Sequence, residues 1–265
     1  MTRAHVAAWA DHPDLVEYYT AHRHRPEDLY PSERRFLPAL AEESQSVLDV
    51  GCAAGGFAAV WRNWNPALSY AGVDASEPLV EAARRLHPEC EFEVADCAEG
   101  LPFADGAFDS VQALGWLHWE PRFEDALAEM WRVTRRRLFF DVRLQTAEAG
   151  HLEARQRIAL SGEWDGRTTV PYLCLSWERF AESLLGLGPA AILAHGYEGT
   201  PSDTVTGVQG DICFATFVVE RGGAAGRPLT CIALPYEWPD ALRERVDLRR
   251  PPELDVLIPT EEALA

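Results

Sequence analysis

The stretch VLDVGCAAGG, residues 47–56, decides the fold. Val47 to Val50 reads as a short buried strand interrupted by one acid. Gly51, Gly55 and Gly56 then permit a sharp turn, and FAAVW (57–61) looks helical. A glycine-rich turn between a strand and a helix offers backbone N–H groups to a ligand. Ala53 stands where the middle glycine of such a turn is usual, which is tolerable if its φ is negative.

Outward from this turn the chain alternates regularly. SYAGVD (69–74), EFEVAD (91–96) and RRLFFDVRL (136–144) read as strands, and FDSVQALGWL (108–117) opens with one. Between them lie helical stretches: one capped by Ser76 with Leu79, Ala83 and Leu86 in helical spacing, and one near 121–133 with Phe123, Leu127 and Met130 on a stripe. Strands alternating with helices predict an α/β fold, a Rossmann-like doubly wound sheet that is mostly parallel. Ser176 opens a further helix, and AAILAHGYEG and DICFATFVVERG read as a closing antiparallel hairpin. Three regions follow. Residues 1–45 form a helical lid segment. Residues 46–221 form the main domain, with an insertion at about 145–175 that carries one short helix near 152–160. Residues 222–265 are a proline-rich extension onto which no structure is forced.

The 265 residues carry 42 acids and a formal net charge of -18. That charge repels phosphate backbones, so no nucleic-acid partner is expected. All 24 basic residues are arginine, so Schiff-base chemistry and a Walker-type lysine are excluded by residue type. Six scattered cysteines show no C-x-x-C spacing and read as buried thiols of a reducing compartment. No apolar run spans a bilayer and the start lacks a signal-peptide pattern, so a cytoplasmic protein without membrane attachment is expected. Monomer and homodimer stay equally open. The H-x-H pair His22 and His24 is weak evidence for a metal, and none is expected.

Ligands of a doubly wound sheet sit at the carboxyl ends of the strands. Asp49, Asp74 and Asp96 fall near the ends of the first three, 25 and 22 residues apart. An acid at the turn is awkward for a pyrophosphate, which disfavours a dinucleotide even though Gly51-x-Ala53-x-x-Gly56 approximates its fingerprint. S-adenosylmethionine carries a sulfonium and an ammonium and no phosphate. Carboxylates can accept hydrogen bonds from its ribose hydroxyls and adenine amino group.

VLDVGCAAGG, then GVDAS, VADCAEGLPFADGAFDSV and LHWEP, resemble the class I S-adenosylmethionine-dependent methyltransferases, above all their small-molecule group, over about residues 46–144. The resemblance implies a seven-stranded sheet whose last strands form a reversed hairpin. It implies that Gly51, Cys52, Ala53 and Gly55 line the methionine part of the cofactor. Asp49 would orient that loop or reach the ammonium through water. Asp74, followed by Ala75, would hold the ribose. Asp96 and Cys97 would flank the adenine, and Leu114 and Gly115 would face the methyl-donor end. Two departures stand out: Ala53 itself, and RVTRRRL where the family often has a Pro-Gly-Gly turn.

Small-molecule members often carry a histidine where His118 stands, and it is the candidate base for a hydroxyl acceptor; a structural hydrogen bond is its plainer role. Trp116 and Trp119 flank it and suggest an aromatic acceptor pocket. Tyr18, Tyr19 and Trp9 are candidates for a lid, and Trp164 and Tyr172 for substrate walls, because loops after the strands carry specificity. Ribosomal-RNA ribose methyltransferases share a similar turn but use catalytic lysines, which this chain lacks. A small-molecule methyltransferase is therefore expected. A non-catalytic S-adenosylmethionine-binding sensor or a protein methyltransferase are the alternatives.

Overall fold

The computed structural model describes residues 6–7, 14–146, 151–158, 168–222 and 226–249. Helices α1 (Leu15–Ala21), α2 (Pro31–Arg34) and α3 (Leu37–Glu43) precede the sheet. Then come β1 (Ser46–Val50), α4 (Phe57–Trp64), β2 (Ser69–Asp74), α5 (Glu77–Leu86), β3 (Glu91–Val94) and β4 (Phe108–Ala113). A 3-10 turn at Leu117–Trp119 leads to α6 (Phe123–Val133) and β5 (Thr134–Gln145). The remainder is β6 (Leu152–Arg157), β7 (Thr169–Ser176), α7 (Trp177–Gly186), β8 (Ala191–Gly199), β9 (Val205–Thr206), β10 (Ile212–Glu220), β11 (Leu229–Ala233) and β12 (Asp247–Arg249).

The main sheet runs β12-β11-β8-β10-β5-β4-β1-β2-β3. β3, β2, β1, β4 and β5 pair in parallel, whereas β10 is antiparallel to both β5 and β8. The period-2 alternation of strand side chains explains the two cores. Leu48 and Val50 point to the face covered by α6 and α7, where Phe123, Met130 and Phe180 pack. Val47 points to the opposite face, where Leu37, Trp61 and Val80 come from α3, α4 and α5.

Two expectations change here. The insertion carries a strand where a helix was expected: β6 pairs antiparallel with β7 and β9. Glu153 and Arg155 are exposed while Ala154 and Ile158 are buried, which is a strand alternation hidden among good helix formers. The proline-rich extension is also partly ordered. β11 pairs parallel with β8, adding to the edge of the sheet, and β12 pairs with β11. Trp238 then packs edge-on against Trp177, with ring centroids 5.4 Å apart.

Candidate functional site

The turn after β1 takes positive φ at Gly51 (74°), Ala53 (48°) and Gly55 (80°). Gly51 is obligatory, since a Cβ there would lie 2.4 Å from Trp116 Cδ1. Ala53 adopts the left-handed conformation rather than the negative φ expected, at a cost of about 1 kcal/mol. What holds it there is a hydrogen bond: Ala53 N–H donates to Asp74 Oδ2 at 3.0 Å. Asp74 Oδ1 accepts from Ser76 N–H at 2.8 Å. One carboxylate at the end of β2 thus ties the glycine turn to the start of α5. Burial raises its pKa, while the backbone N–H groups of Ser76, Ala53 and Ala75 oppose that shift.

A cavity opens beside this turn. It is walled by Gly51, Ala53, Asp74, Ala75, Asp96, Cys97, Leu114, Gly115 and Trp116, all singled out in the sequence. Val6, Leu15 and Tyr19 of the N-terminal segment also contribute, as does Glu120. Its charged walls are three carboxylates, Asp74, Asp96 and Glu120, and no cation lines it among the described residues. Ser76 Oγ and Trp116 Nε1 are buried with no hydrogen-bond partner. Such a wall fits a cationic ligand rich in hydroxyl and amino groups, and it opposes a pyrophosphate.

A second, larger cavity adjoins the first, sharing Tyr19, Gly51, Ala53, Leu114, Gly115 and Trp119 with it. Tyr18, His118 and Tyr172 line it, as the sequence suggested. So do Arg23, Arg143 and Arg157, which sequence reasoning passed over. Arg143 is 7% exposed, and its Nη1 donates to Asp141 Oδ2 at 2.6 Å. Burial works against its charge, but Asp141 and then Tyr172 outweigh that and raise its pKa. Asp141 Oδ1 accepts from Gly115 N–H at 2.6 Å, so the same carboxylate anchors the loop after β4. Burial would raise the pKa of Asp141, yet Arg143, His118 and Gly115 N–H together hold it below the usual range. A signal for this pair was present: Asp141-x-Arg143 puts two charges on one face of an otherwise apolar strand.

His118 is 5% exposed and Nδ1 has no partner. Burial, and then the Arg143 charge, depress its pKa well below the ordinary imidazole value. The ring is therefore neutral at pH 7, and the same effect weakens it as a base. Its faces meet Trp119 and the edge of Tyr172, at centroid distances of 4.5 and 5.2 Å.

Several sequence-singled residues stand elsewhere. Asp49 is 2% exposed and walls neither cavity. It accepts from Tyr70 Oη and, at 3.0 Å, from Gln112 Nε2, whose Oε1 accepts from Trp61 Nε1. The side chain points from β1 into the α4 face, beneath the turn rather than toward its ligand. Cys52 walls only the second cavity and Gly55 neither. His22 Nδ1 and His24 Nε2 are each spent on a main-chain carbonyl of α1, those of Tyr18 and Tyr19. Trp9 and Trp164 lie outside the described residues.

Residues 47–137 match the family described as a methyltransferase domain. A fatty-acid O-methyltransferase of Mycolicibacterium smegmatis is 39% identical over 95 residues, which is 35% of this chain and 34% of that protein. A trans-aconitate 2-methyltransferase of Variovorax paradoxus is 29% identical over 108 residues, 41% of each chain. The chain thus matches about a third to two-fifths of the length of these curated relatives. The solved magnesium protoporphyrin IX methyltransferase of Synechocystis PCC 6803 has 14% identity, 70% and 76% coverage of the two chains, and a TM-score of 0.41. Over residues 47–137 the chain is therefore similar to a methyltransferase domain.

Proposed function

We propose that the chain transfers a methyl group from S-adenosylmethionine to an oxygen or nitrogen of a small-molecule acceptor held in the second cavity. The observation that carries this reading is the charge of the first cavity, with its three carboxylates and no lining cation among the described residues. In this reading Asp74 accepts from the ribose hydroxyls and Asp96 from the adenine amino group. The Ser76 hydroxyl and Trp116 indole N–H, both without partners among the described residues, become available to the polar groups of the cofactor. The bound cofactor supplies an electrophilic methyl group; the protein aligns it and excludes water. Gly51, Ala53, Leu114 and Gly115 form the wall common to both cavities, which supports transfer between them. That continuity favours an enzyme over a cofactor sensor, whose pocket would be closed to an acceptor.

The test is a melting curve of the full chain. S-Adenosylhomocysteine at about 100-fold its Kd adds about 3 kcal/mol and raises the melting temperature, whereas NAD leaves it unchanged. An equal rise with NAD overturns the assignment.

A further inference from the structure

The charged residues that line the two adjoining cavities are of opposite sign. The cofactor-side wall presents carboxylates; the charged wall of the larger cavity is dominated by arginine. Asp28, its one lining carboxylate among the described residues, is occupied in capping its own loop, where Oδ2 accepts from His24 N–H and Arg25 N–H. The carboxylates that pair with the arginines stand behind the wall: Asp141 behind Arg143 and Glu33 behind Arg23, neither of them lining the cavity. The cavity is thus lined by the cationic member of each pair. Arg143 Nε and Arg23 Nε are buried with no partner among the described residues. Around these donors the wall is aromatic, with Phe57, Phe214 and Tyr30 among its residues.

We propose that the methyl acceptor is a carboxylic acid with an apolar body, its carboxylate received by Arg143. This rests on the methyl-transfer reading above and specifies its substrate class. The placement of Arg143 fits the task. Asp141 bridges it to Gly115 on the wall shared with the cofactor cavity, through two contacts of 2.6 Å. One carboxylate oxygen takes the guanidinium hydrogen bond, and the other is left to react. A lone pair of that oxygen forms the new O–CH3 bond. The C–S bond of the sulfonium breaks with its electron pair kept by sulfur. The products are a neutral methyl ester and a neutral thioether, and no proton moves. No general base is needed, in keeping with a buried, neutral His118. An anion and a cation combine into two neutral molecules, a step that aromatic surroundings do not penalise. The family match ends at residue 137, before Arg143, so the domain assignment does not by itself carry this inference.

The experiment uses the full chain saturated with S-adenosylhomocysteine. Octanoate, decanoate, benzoate and phenylacetate are each compared with the matching primary amide and alcohol. Acids are expected to raise the melting temperature further, and amides and alcohols not. With methyl-labelled S-adenosylmethionine, the label must appear in a product that releases methanol in base, as a methyl ester does. In Arg143→Gln, which leaves the Asp141–Gly115 hydrogen bond in place, the shift with S-adenosylhomocysteine should persist. Its acid-dependent shift should vanish and kcat/KM should fall about thirtyfold to a hundredfold, the value of one hydrogen bond to a charged group. Should that variant fail to fold, Arg143→Lys takes its place, with charge kept and the planar fork lost, and an intermediate fall is expected. Amides or alcohols that stabilise as well as acids, no acid that stabilises at all, base-stable label, or undiminished acid use by the variants overturns the proposal. Failure of S-adenosylhomocysteine itself to bind overturns the methyl-transfer reading instead.

Discussion

Asp49 lines neither cavity, although its place in an apolar strand beside the glycine turn suggested that it orients that loop or reaches the cofactor's ammonium through water. Its strand position, however, sends the side chain to the α4 face, where Tyr70 and Gln112 hold it. Burial pushes its pKa from 3.8 to about 7, against the two hydrogen bonds. A folded pKa above the unfolded value means the native state holds the proton longer. The stabilisation is full below about pH 4 and is lost as pH rises through 7. Between about pH 5 and about pH 8 the loss is about 2–3 kcal/mol from this group alone. Asp49→Asn should therefore flatten the fall in melting temperature over that range. Melts of both proteins across the range check this; an unchanged slope would show that Asp49 is ionised throughout. Asp74, by contrast, lines the first cavity because it ends β2, where the backbone turns and a side chain reaches that space.

At the scale of elements, the alternation through β5 was plain in the sequence because each strand is a short apolar run and each helix keeps its stripe. β6 was hidden. Its residues Glu, Ala, Arg and Gln favour helix, and only pairing with β7 and β9 makes it a strand. β11 and β12 were hidden for a different reason: prolines around them resemble a disordered tail, whereas β8 offers a sheet edge to be covered. Trp238 secures that extension. It is 2% exposed and sits across the ring of Trp177, whose Nε1 donates to Glu237 O at 2.8 Å. Trp238→Ala should cost about 3–5 kcal/mol and lower the melting temperature by about 10 °C. Denaturant titration checks the cost; a change under about 1 kcal/mol would mean the extension does not stabilise the domain.

Across the whole molecule, the net charge of -18 hides a partition that composition cannot show. Carboxylates collect around one cavity and arginines around the next, and the glycine turn lies between them. The arginines come from the N-terminal segment, β5 and β6, so nothing in their spacing along the chain announces a shared wall. Asp74 joins the two levels, since it fixes the strained turn and faces the cofactor cavity. The most direct test is titration calorimetry with S-adenosylhomocysteine on the full chain and on Asp74→Ala, with the melting curve of each recorded. One equivalent should bind to the native chain, and the variant should bind at least about thirtyfold more weakly, as expected when a charged acceptor of two hydroxyls is removed. No binding to the native chain, or equal binding by a folded Asp74→Ala, would contradict the account.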